Sequence, residues 1–342
     1  MKKVTISDIA KRAGVTKGTV SMVLNNYKDI PQSTRDAIFK IIKELDYYPF
    51  ESARNLSKGT TDIIAFMTAR FAAPFVSDIL SAFERRAIQA DKYINDITLY
   101  STHNDRKTKE MLFKSILYGR KASALVALSI NPDPKIILEY KRSGIPVVLI
   151  ENTVKGAHSV NVDNFKGAYM AAEHLIATGR KNIGFISGWI NKIDPESIHS
   201  SAVDRKSGFE TALRKHGYAI KAANTQMSSQ YTSEEGRNFL DNFIKKRIKL
   251  DAVFCAAGDV VAMGLMERAR ELGIKIPSDL AVIGFDDMMY ARHLNPPLTT
   301  VCQPFDRIGA AAFDTAVDAI EGKLKKDSHI VIDPQLIIRK TT

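Results

Sequence analysis

Apolar residues recur at intervals of three and four in three short stretches near the N-terminus, which is the spacing of amphipathic helices. These apolar positions are Ile6, Ile9, Ala10 and Ala13; Val20, Val23 and Leu24; and Ile38, Ile41, Ile42 and Leu45. Gly14 lies where the first helix would end in a left-handed residue, and Pro31 precedes the third helix. Thr16 is placed to cap the second helix, and Ser33 or Thr34 the third. The pattern predicts three helices around one small core.

The first two of these helices have the composition of a helix-turn-helix. Ala10 is small where the helices would cross, Gly14 lies in the turn, and Val20 is a branched residue beneath it. The solvent face of the second helix carries Lys17, Gly18, Ser21, Met22 and Asn25. In such a motif the N-terminal residues of this helix meet base edges. The side chains able to bond phosphates are Thr16, Thr19, Ser21 and Asn25.

From residue 61 onwards, short apolar runs alternate with helical stretches, a pattern typical of parallel α/β sheets. The predicted elements are strands over 63–67, 97–100, 124–128 and 147–150, a helix over 75–90, and further strands over 183–186, 252–255 and 281–285. A second cycle of the alternation begins near residue 161. The pattern therefore predicts an α/β body of two doubly wound parallel-sheet subdomains, with a ligand cleft between them at the strand ends.

The net charge of +11 is concentrated at the N-terminus of the 342-residue chain. Residues 1–60 carry 11 lysines and arginines against six acids, whereas the other 282 residues carry 38 against 32. A basic module on a nearly balanced body favours a polyanionic partner, with nucleic acid as the first choice.

Composition and motifs argue against other classes of protein. Two cysteines, Cys255 and Cys302, are too few for a disulfide framework or a four-ligand zinc site. No apolar run is long enough to span a bilayer, and no apolar stretch follows the N-terminal lysines, so we expect a cytoplasmic chain without a membrane partner. No phosphate loop, nucleophile elbow or metalloprotease motif occurs, so we expect neither catalysis nor a cofactor or metal.

The residues of the predicted helix-turn-helix carry a resemblance to a known family. Residues 4–16 and 19–25 resemble the opening of the lactose- and galactose-repressor family of bacterial transcription regulators, and the likeness extends to about residue 340. Tyr48–Pro49 and 53–56 (Ala-Arg-Asn-Leu) are similar to the hinge helix of that family. The resemblance implies a helix-turn-helix domain over 1–47, a hinge helix and linker over 48–60, and a periplasmic-binding-protein-like effector-binding and dimerisation domain over 61–342.

The implied body divides into two subdomains, roughly 61–160 with 291–322 and 161–290 with 323–342. Its landmarks include Val162–Asp163–Asn164 and Gly284–Phe285–Asp286–Asp287. Because 339–342 adds no leucine heptad, a dimer is expected rather than a tetramer.

The resemblance and the exposed helix face together give one set of DNA-binding candidates. They are Thr5, Thr16, Lys17, Gly18, Thr19, Ser21, Met22, Asn25, Thr34, Ala53, Arg54 and Leu56. In the family a hinge leucine wedges into a minor-groove step, and Leu56 is the matching position. Met22 stands where the family usually has arginine, and it offers a base only apolar contact. Phe50 stands where a small or polar residue is usual, so the operator and the docking of the hinge are expected to differ from the common family pattern.

Carried over position by position, the family's effector site falls on seven residues. They are Phe75, His199, Ser201, Arg205, Tyr231, Asp259 and Asp286. Arg205 would fork onto a hydroxyl pair or a carboxylate, Tyr231 would stack on a ligand ring, and Asp286 would accept hydroxyl or amine hydrogens. Gly258 replaces an asparagine that many members carry, which removes one side-chain contact with a sugar.

These features predict a homodimeric, DNA-binding transcription regulator, of the repressor type, whose affinity for a double-stranded operator changes with a small-molecule effector. A sugar or sugar-like effector is favoured, with a purine-like corepressor or a protein partner as alternatives. Whether the effector releases DNA or tightens it is left open. A transport receptor would share the body but would need a secretion signal and has no use for residues 1–60.

Overall fold

A computed structural model describes residues 4–24, 27, 29–45, 47, 61–92, 96–190 and 200–342. The chain forms two compact units, Met1–Asp62 and Ile63–Thr342. The predicted hinge helix over 48–60, including Phe50, lies outside the described residues. So do five of the candidate site residues, namely Asn25, Ala53, Arg54, Leu56 and His199.

The first unit contains the three predicted helices. They are α1 (Ile6–Ala13), α2 (Lys17–Leu24) and α3 (Gln32–Glu44). Their core is formed by the buried residues Ile9, Ala10, Val20, Val23, Ile38 and Tyr47, with the other predicted apolar positions packed partly buried around them. An exposed ion pair between Arg12 and Glu44, 2.8 Å apart, also joins α1 to α3.

The ends of α1 and α2 follow the predicted capping chemistry. Thr5 and Asp8 form a reciprocal capping box at the start of α1, and Gly14 ends this helix with a left-handed φ of 65°. The Thr16 hydroxyl oxygen accepts a hydrogen bond from the Thr19 backbone N–H at 3.1 Å, which caps α2. Helix α3 begins directly after Pro31, as predicted, but Pro31 itself is the N-cap, without a side-chain hydrogen bond, rather than Ser33 or Thr34, which lie two and three residues later.

The second unit is built on two six-stranded sheets. Sheet one contains β1 (Ile64–Thr68), β2 (Ile97–Ser101), β3 (Ala124–Leu128), β4 (Val147–Ile150), β5 (His158–Val162) and β11 (His329–Ile332), in the order β11-β5-β4-β3-β1-β2. All its pairings are parallel, for example Leu125 beside Val147. Helices α4 (Pro74–Ala90) and α11 (Phe305–Ile320) pack on one face, and α5 (Arg106–Tyr118) and α6 (Pro134–Arg142) on the other.

Sheet two repeats this arrangement. It contains β6 (Ile183–Ser187), β7 (Thr225–Met227), β8 (Ala252–Cys255), β9 (Ala281–Asp286), β10 (Thr299–Cys302) and β12 (Gln335–Ile337), in the order β12-β10-β9-β8-β6-β7. Only the β10–β12 pair is antiparallel among these pairings. Helices α7 (Asn164–Ala177) and α8 (Ser200–Lys215) cover one face, and α9 (Ser233–Lys245) and α10 (Asp259–Glu271) cover the other. The predicted α/β body of two parallel-sheet subdomains is confirmed.

Three crossover segments connect the two sheets. Crossover one, around Asp163, leads from β5 to α7; crossover two, 303–304, leads from β10 to α11; crossover three, 333–334, leads from β11 to β12. Two assignments differ from the predicted subdomain bounds. Strand β10 pairs with β9 in sheet two, and β11 pairs with β5 in sheet one. The reason is that hydrogen-bonding partners far apart in sequence decide where a strand joins, which a local apolar pattern cannot show.

No helix in the described parts of the chain is long and apolar enough to cross a membrane.

Candidate functional site

The solvent face of α2 presents the predicted DNA-contacting residues. Thr16, Lys17 and Gly18 are exposed at its N-terminal end, and the Met22 side chain is 46% exposed one turn further on. Thr19 and Ser21 are half-buried beside them. The exposed face of α2 is short, and Lys17 at its N-terminus is its single charged residue. In a helix-turn-helix, this N-terminal end of the second helix meets the base edges.

Several hydroxyl groups of this unit already have a structural role. Thr5 caps α1, where its hydroxyl donates to an Asp8 carboxylate oxygen at 2.6 Å. The Thr16 and Thr19 hydroxyls lie 3.0 Å apart and form a hydrogen bond with each other. Thr34 is half-buried in the first turn of α3. Contact of these residues with DNA stays a prediction.

In the body, backbone strain marks the carboxyl ends of several strands. Ser129 and Glu151 directly follow β3 and β4 of sheet one, and both have positive φ, 53° and 65°. On the side of sheet two, positive φ occurs at Tyr231 (57°), Asp286 (111°) and Asp287 (56°). Non-glycine residues adopt such conformations rarely, and they cluster at ligand-binding sites. Four of these residues, Ser129, Glu151, Asp286 and Asp287, lie at or directly after the carboxyl end of a strand, where the sequence predicts the edge of a ligand cleft.

Arg205 on α8 is the most firmly held candidate. Its Nε donates to Asn164 Oδ1 at 2.7 Å, and its Nη1 donates to the Ala256 carbonyl oxygen at 2.8 Å. The guanidinium carbon lies 3.6 Å from the centre of the Phe285 ring, a cation–π contact. The side chain is buried, but the described residues offer its Nη2 no hydrogen-bond acceptor. One donating arm of a preorganised cation is therefore available to a ligand.

Asp286 ends β9 and supplies a complementary acceptor. Gln303 Nε2 donates to its Oδ1 at 2.7 Å, whereas the described residues donate nothing to its Oδ2. Gly258 has a φ of 118°, and a Cβ there would lie 2.8 Å from this Oδ2. The family departure at Gly258 thus opens space beside Asp286. Burial raises the pKa of Asp286 to about 6; the charges of Arg205 and the Gln303 hydrogen bond oppose this shift, and Glu151 adds to it.

Asp259 was predicted to contact the effector, and the structure corrects this. The residue is 0% exposed, and both its oxygens accept hydrogen bonds from the protein, Oδ1 from the Thr300 hydroxyl at 2.7 Å and Oδ2 from the Met288 N–H at 2.8 Å. Burial and the neighbouring Asp286 charge raise its pKa well above the usual range. Asp259 therefore holds the turn after Asp286 rather than facing the cleft.

Tyr231 lies beside the same site. Its hydroxyl oxygen accepts a hydrogen bond from the Trp189 backbone N–H at 3.0 Å, and its own N–H donates to Glu235 Oε2 at 2.8 Å. The side chain remains 37% exposed. These bonds fix the ring while leaving part of its surface accessible.

Two other candidates are less informative. Phe75, at the start of α4, is half-buried and packs against the core of sheet one, and Ser201 is half-buried in the first turn of α8. Arg205 stacks on the ring of Phe285, the neighbour of Asp286 in the chain. A Cβ at Gly188 would lie 2.8 Å from the Tyr231 hydroxyl and 3.4 Å from the Cβ of Ala202, one turn before Arg205 on α8, so Tyr231 lies close to the same helix.

Sequence reasoning did not single out three polar residues of this site. Glu151 follows the buried strand β4, accepts a hydrogen bond from the Ser129 hydroxyl, and adds to the negative potential at Asp286. Asn164 and Gln303 lie at the crossovers and hold Arg205 and Asp286. Glu151 and Gln303 directly follow a strand, and this position was the signal available in the sequence; Asn164 lies two residues after the end of β5. Among the described residues, no group of three or more His, Cys, Asp or Glu could hold a metal ion.

Comparison with known proteins decides the family. Residues 5–49 match the profile of bacterial regulatory proteins of the lacI family, and 172–342 match the periplasmic binding protein-like domain. The chain is 32% identical over 340 residues to the HTH-type transcriptional repressor PurR of Erwinia tasmaniensis, a match that covers 98% of this chain and 96% of that protein. The PurR repressor of Pectobacterium atrosepticum is 33% identical with the same coverage. The chain belongs to the lacI family.

Solved structures of lacI-family type have the same fold. A complex of the transcriptional regulator CelR with cellobiose is 26% identical, with a TM-score of 0.72 and coverage of 99% of this chain and 100% of that one. The lac repressor dimer bound to operator and the anti-inducer ONPF is 24% identical, with a TM-score of 0.84 and coverage of 100% and 99%. The family and fold expected from the sequence are confirmed: this lacI-family chain is a DNA-binding transcription regulator with a periplasmic-binding-protein-like body for a small-molecule effector.

Proposed function

We propose that the chain is a homodimeric transcriptional repressor whose affinity for a double-stranded operator changes when a small polar effector occupies the cleft at Arg205, Tyr231 and Asp286. The observation that carries the effector site is the pairing of a buried guanidinium that keeps one donating arm with a carboxylate that keeps one accepting oxygen. In this proposal the effector site has a regulatory role, which requires neither a catalytic step nor a cofactor. Acting on a bacterial operator, the protein works in the cytoplasm.

The DNA-binding half of the proposal rests on the first unit and on the relatives. Helix α2 presents Lys17, Gly18 and Met22 to solvent, and the basic charge of the chain is concentrated over 1–60. The curated relatives are named repressors, and a related lac repressor is a dimer on its operator. Two recognition helices reading successive major grooves require two copies of the chain. In this proposal Leu56 enters the minor groove as the hinge folds on DNA.

The donor and acceptor at the site favour a sugar or sugar-like effector. A pair of neighbouring hydroxyls both accepts from a guanidinium and donates to a carboxylate. Tyr231 supplies one accessible aromatic face, and the related CelR structure contains cellobiose. A purine-like corepressor is the second candidate, because a base edge also carries a donor beside an acceptor, and the relatives that span 98% of the chain are named PurR.

The test is a titration of the full-length protein with a panel of sugars and purine bases. Trp189 is the single tryptophan of the chain and its backbone N–H donates to the Tyr231 hydroxyl, so we expect its fluorescence to report occupancy of the cleft. Operators are selected from random DNA, and operator Kd is measured with and without each compound. We expect one class to change the fluorescence saturably and to change operator Kd by about 5–150-fold.

Tyr231→Phe is a suitable control, because it keeps the ring but removes the hydrogen-bond acceptor for Trp189. It should alter the fluorescence baseline more than the effector specificity. If no compound changes both the fluorescence and the operator Kd, the small-molecule proposal fails and a protein partner becomes the better explanation.

A further inference from the structure

Each charged side chain of the effector site is held by an amide side chain from a different crossover segment. Asn164, the first residue after crossover one, accepts from Arg205 Nε at 2.7 Å. Gln303, within crossover two, donates to Asp286 Oδ1 at 2.7 Å. The cation of the site is thereby tied to one connection between the sheets and the anion to another.

If the side chain of Arg205 or Asp286 moves, the amide bonded to it can keep that hydrogen bond only when the crossover backbone moves as well. Asn164 and Gln303 are 5% and 4% exposed. The other end of the Asn164 amide donates to the Val162 carbonyl oxygen at 3.2 Å, and the Gln303 backbone N–H donates to the Asp286 carbonyl oxygen at 3.3 Å. Because buried amides lose free energy when a hydrogen bond is left unmade, these links stay closed as the site moves.

The crossovers themselves are joined to one another. The Asp163 N–H of crossover one donates to the Ile332 carbonyl oxygen at the start of crossover three, 3.0 Å away. Lys166 Nζ, in the first turn of α7 after crossover one, and Asp333 Oδ1, in crossover three, form an ion pair at 2.8 Å. Crossovers one and three therefore move together, whereas crossover two is linked to the site through Asp286.

A gap in this chain of hydrogen bonds lies at the effector site. Arg205 and Asp286 interact electrostatically, but no direct hydrogen bond or ion pair joins these two described residues. A ligand that accepts from Arg205 and donates to Asp286 would complete a continuous path, Asn164–Arg205–ligand–Asp286–Gln303, from crossover one to crossover two.

We propose that Asn164 and Gln303 are positioning residues that transmit effector occupancy of the Arg205–Asp286 pair to the crossovers, and so to the relative orientation of the two subdomains. The inference rests on the proposed effector function and adds the route by which the site acts on the rest of the body. A hinge is a small number of backbone segments, so a ligand that links two of them changes the preferred hinge angle by its differential binding free energy.

The test replaces each amide by an apolar side chain of similar shape in the full-length protein, as Asn164→Leu and Gln303→Met. Gln226→Met is the matched control, since the Gln226 amide also donates to a backbone carbonyl, that of Phe239 at 2.8 Å, but lies on β7 away from the crossovers. Operator Kd is measured with and without saturating amounts of the sugar or purine that binds the wild-type protein, and effector Kd by Trp189 fluorescence.

We expect Asn164→Leu and Gln303→Met to keep the effector-free operator Kd within about threefold while reducing the effector-induced change in operator Kd by about tenfold or abolishing it. Saturable effector binding should persist at higher concentration. Asn164→Asp keeps an acceptor for Arg205 and should restore the coupling, which a purely structural role would not predict. An effector-induced change equal to that of the wild type in both apolar variants overturns the proposal.

A second measurement needs no effector, so it separates failure of this inference from failure of the proposed function. The Asp286 carboxyl is titrated by carbon NMR in wild type, Gln303→Met and Gln226→Met, with Asp286→Asn to assign its signal. Loss of the Gln303 donor should move the titration of Asp286 to higher pH, and Gln226→Met should leave it in place. If Gln303→Met leaves that titration unchanged, the positioning role of Gln303 is refuted whether or not any panel compound binds.

Discussion

The three-helix unit and the α/β body place their functional polar groups in opposite environments. On α2, Lys17, Gly18 and Met22 are exposed and make no contribution to the core. In the body, Arg205 is 8% exposed and Gln303 4%, and each makes hydrogen bonds that also hold the fold. At these three positions of α2, recognition can change without changing stability, whereas in the body the two properties are linked.

The difference follows from the size of the two partners. DNA offers a long array of phosphates and base edges, so many weak contacts at an exposed, hydrated surface add up to specific binding. A small effector has few atoms, and its binding free energy depends on a site that is already desolvated and oriented. The stacked Arg205 guanidinium and the strained Asp286 backbone are the marks of such a preorganised site.

Replacing the buried cation Arg205 should give the largest effect on effector affinity. A small effect would contradict the contrast between the exposed α2 face and the buried effector site. Arg205→Met keeps the aliphatic bulk against Phe285 but removes both the charge and the free Nη2 arm. We expect effector affinity to fall by at least about 30-fold, because a buried charged hydrogen-bond donor typically contributes about 2–5 kcal/mol. Trp189 fluorescence titration with the compound that binds the wild-type protein measures the change.

Effector-free operator binding should stay within threefold in Arg205→Met, since the exposed face of α2 is intact. Arg205→Lys is the control that keeps a positive charge without the fork of donors, and it should lose less affinity. An effector Kd within threefold of wild type in Arg205→Met would mean that the cation does not contact the ligand.

A pH dependence of stability should arise from the buried acids of the body. Burial raises the pKa of Asp286 to about 6, above its unfolded value, so between pH 4 and 6 the folded chain keeps a proton that the unfolded chain has lost. Unfolding then releases a proton, and stability falls as pH rises through this window. Relative to Asp286→Asn, the wild-type protein should lose about 2 kcal/mol between pH 4 and 7, since one pKa unit corresponds to about 1.4 kcal/mol.

Urea unfolding at several pH values, followed by Trp189 fluorescence in the body, measures this difference. Because the Asp286 charge contributes to the raised pKa of Asp259, Asp259→Asn should also change the slope, though it removes an acceptor that holds Thr300 and Met288. Parallel pH profiles for wild type and Asp286→Asn would show that the Asp286 carboxyl is not held in the buried state seen here.

The sequence predicted best those features that depend on neighbours along the chain. Strands β3, β4 and β8 have the predicted bounds, because each is a short apolar run that is buried along its whole length. The caps at Gly14 and Thr16 were equally local. What local pattern could not give was the exchange of β10 and β11 between the sheets, since their partners lie far away in sequence.

The same distinction applies to the effector site. Arg205, Tyr231 and Asp286 were identified through a family resemblance, and their contact with an effector stays a prediction. Asp259 was misplaced because its position at the start of α10 does not reveal that Thr300 and Met288 surround it. Gln303 was overlooked because nothing in the sequence around it indicates a binding role for a glutamine in a connecting segment. Its role becomes visible only when its partner Asp286, 17 residues earlier in the chain, is known.

Changing the exposed face of α2 should have the smallest effect on stability, and it tests whether recognition in the first unit is independent of the fold. Met22→Arg places a guanidinium where the side chain is 46% exposed, so the free energy of unfolding should change by less than about 0.5 kcal/mol. An arginine there suits the two acceptors on guanine, and we expect about a tenfold gain in preference for guanine at one position of each half-site. Selection from random DNA, followed by Kd measurements, tests this.

Met111→Arg, on an exposed position of α5, adds the same charge to the body and controls for non-specific attraction. If Met22→Arg selects the wild-type sequence and only binds all DNA more tightly, residue 22 does not face the bases.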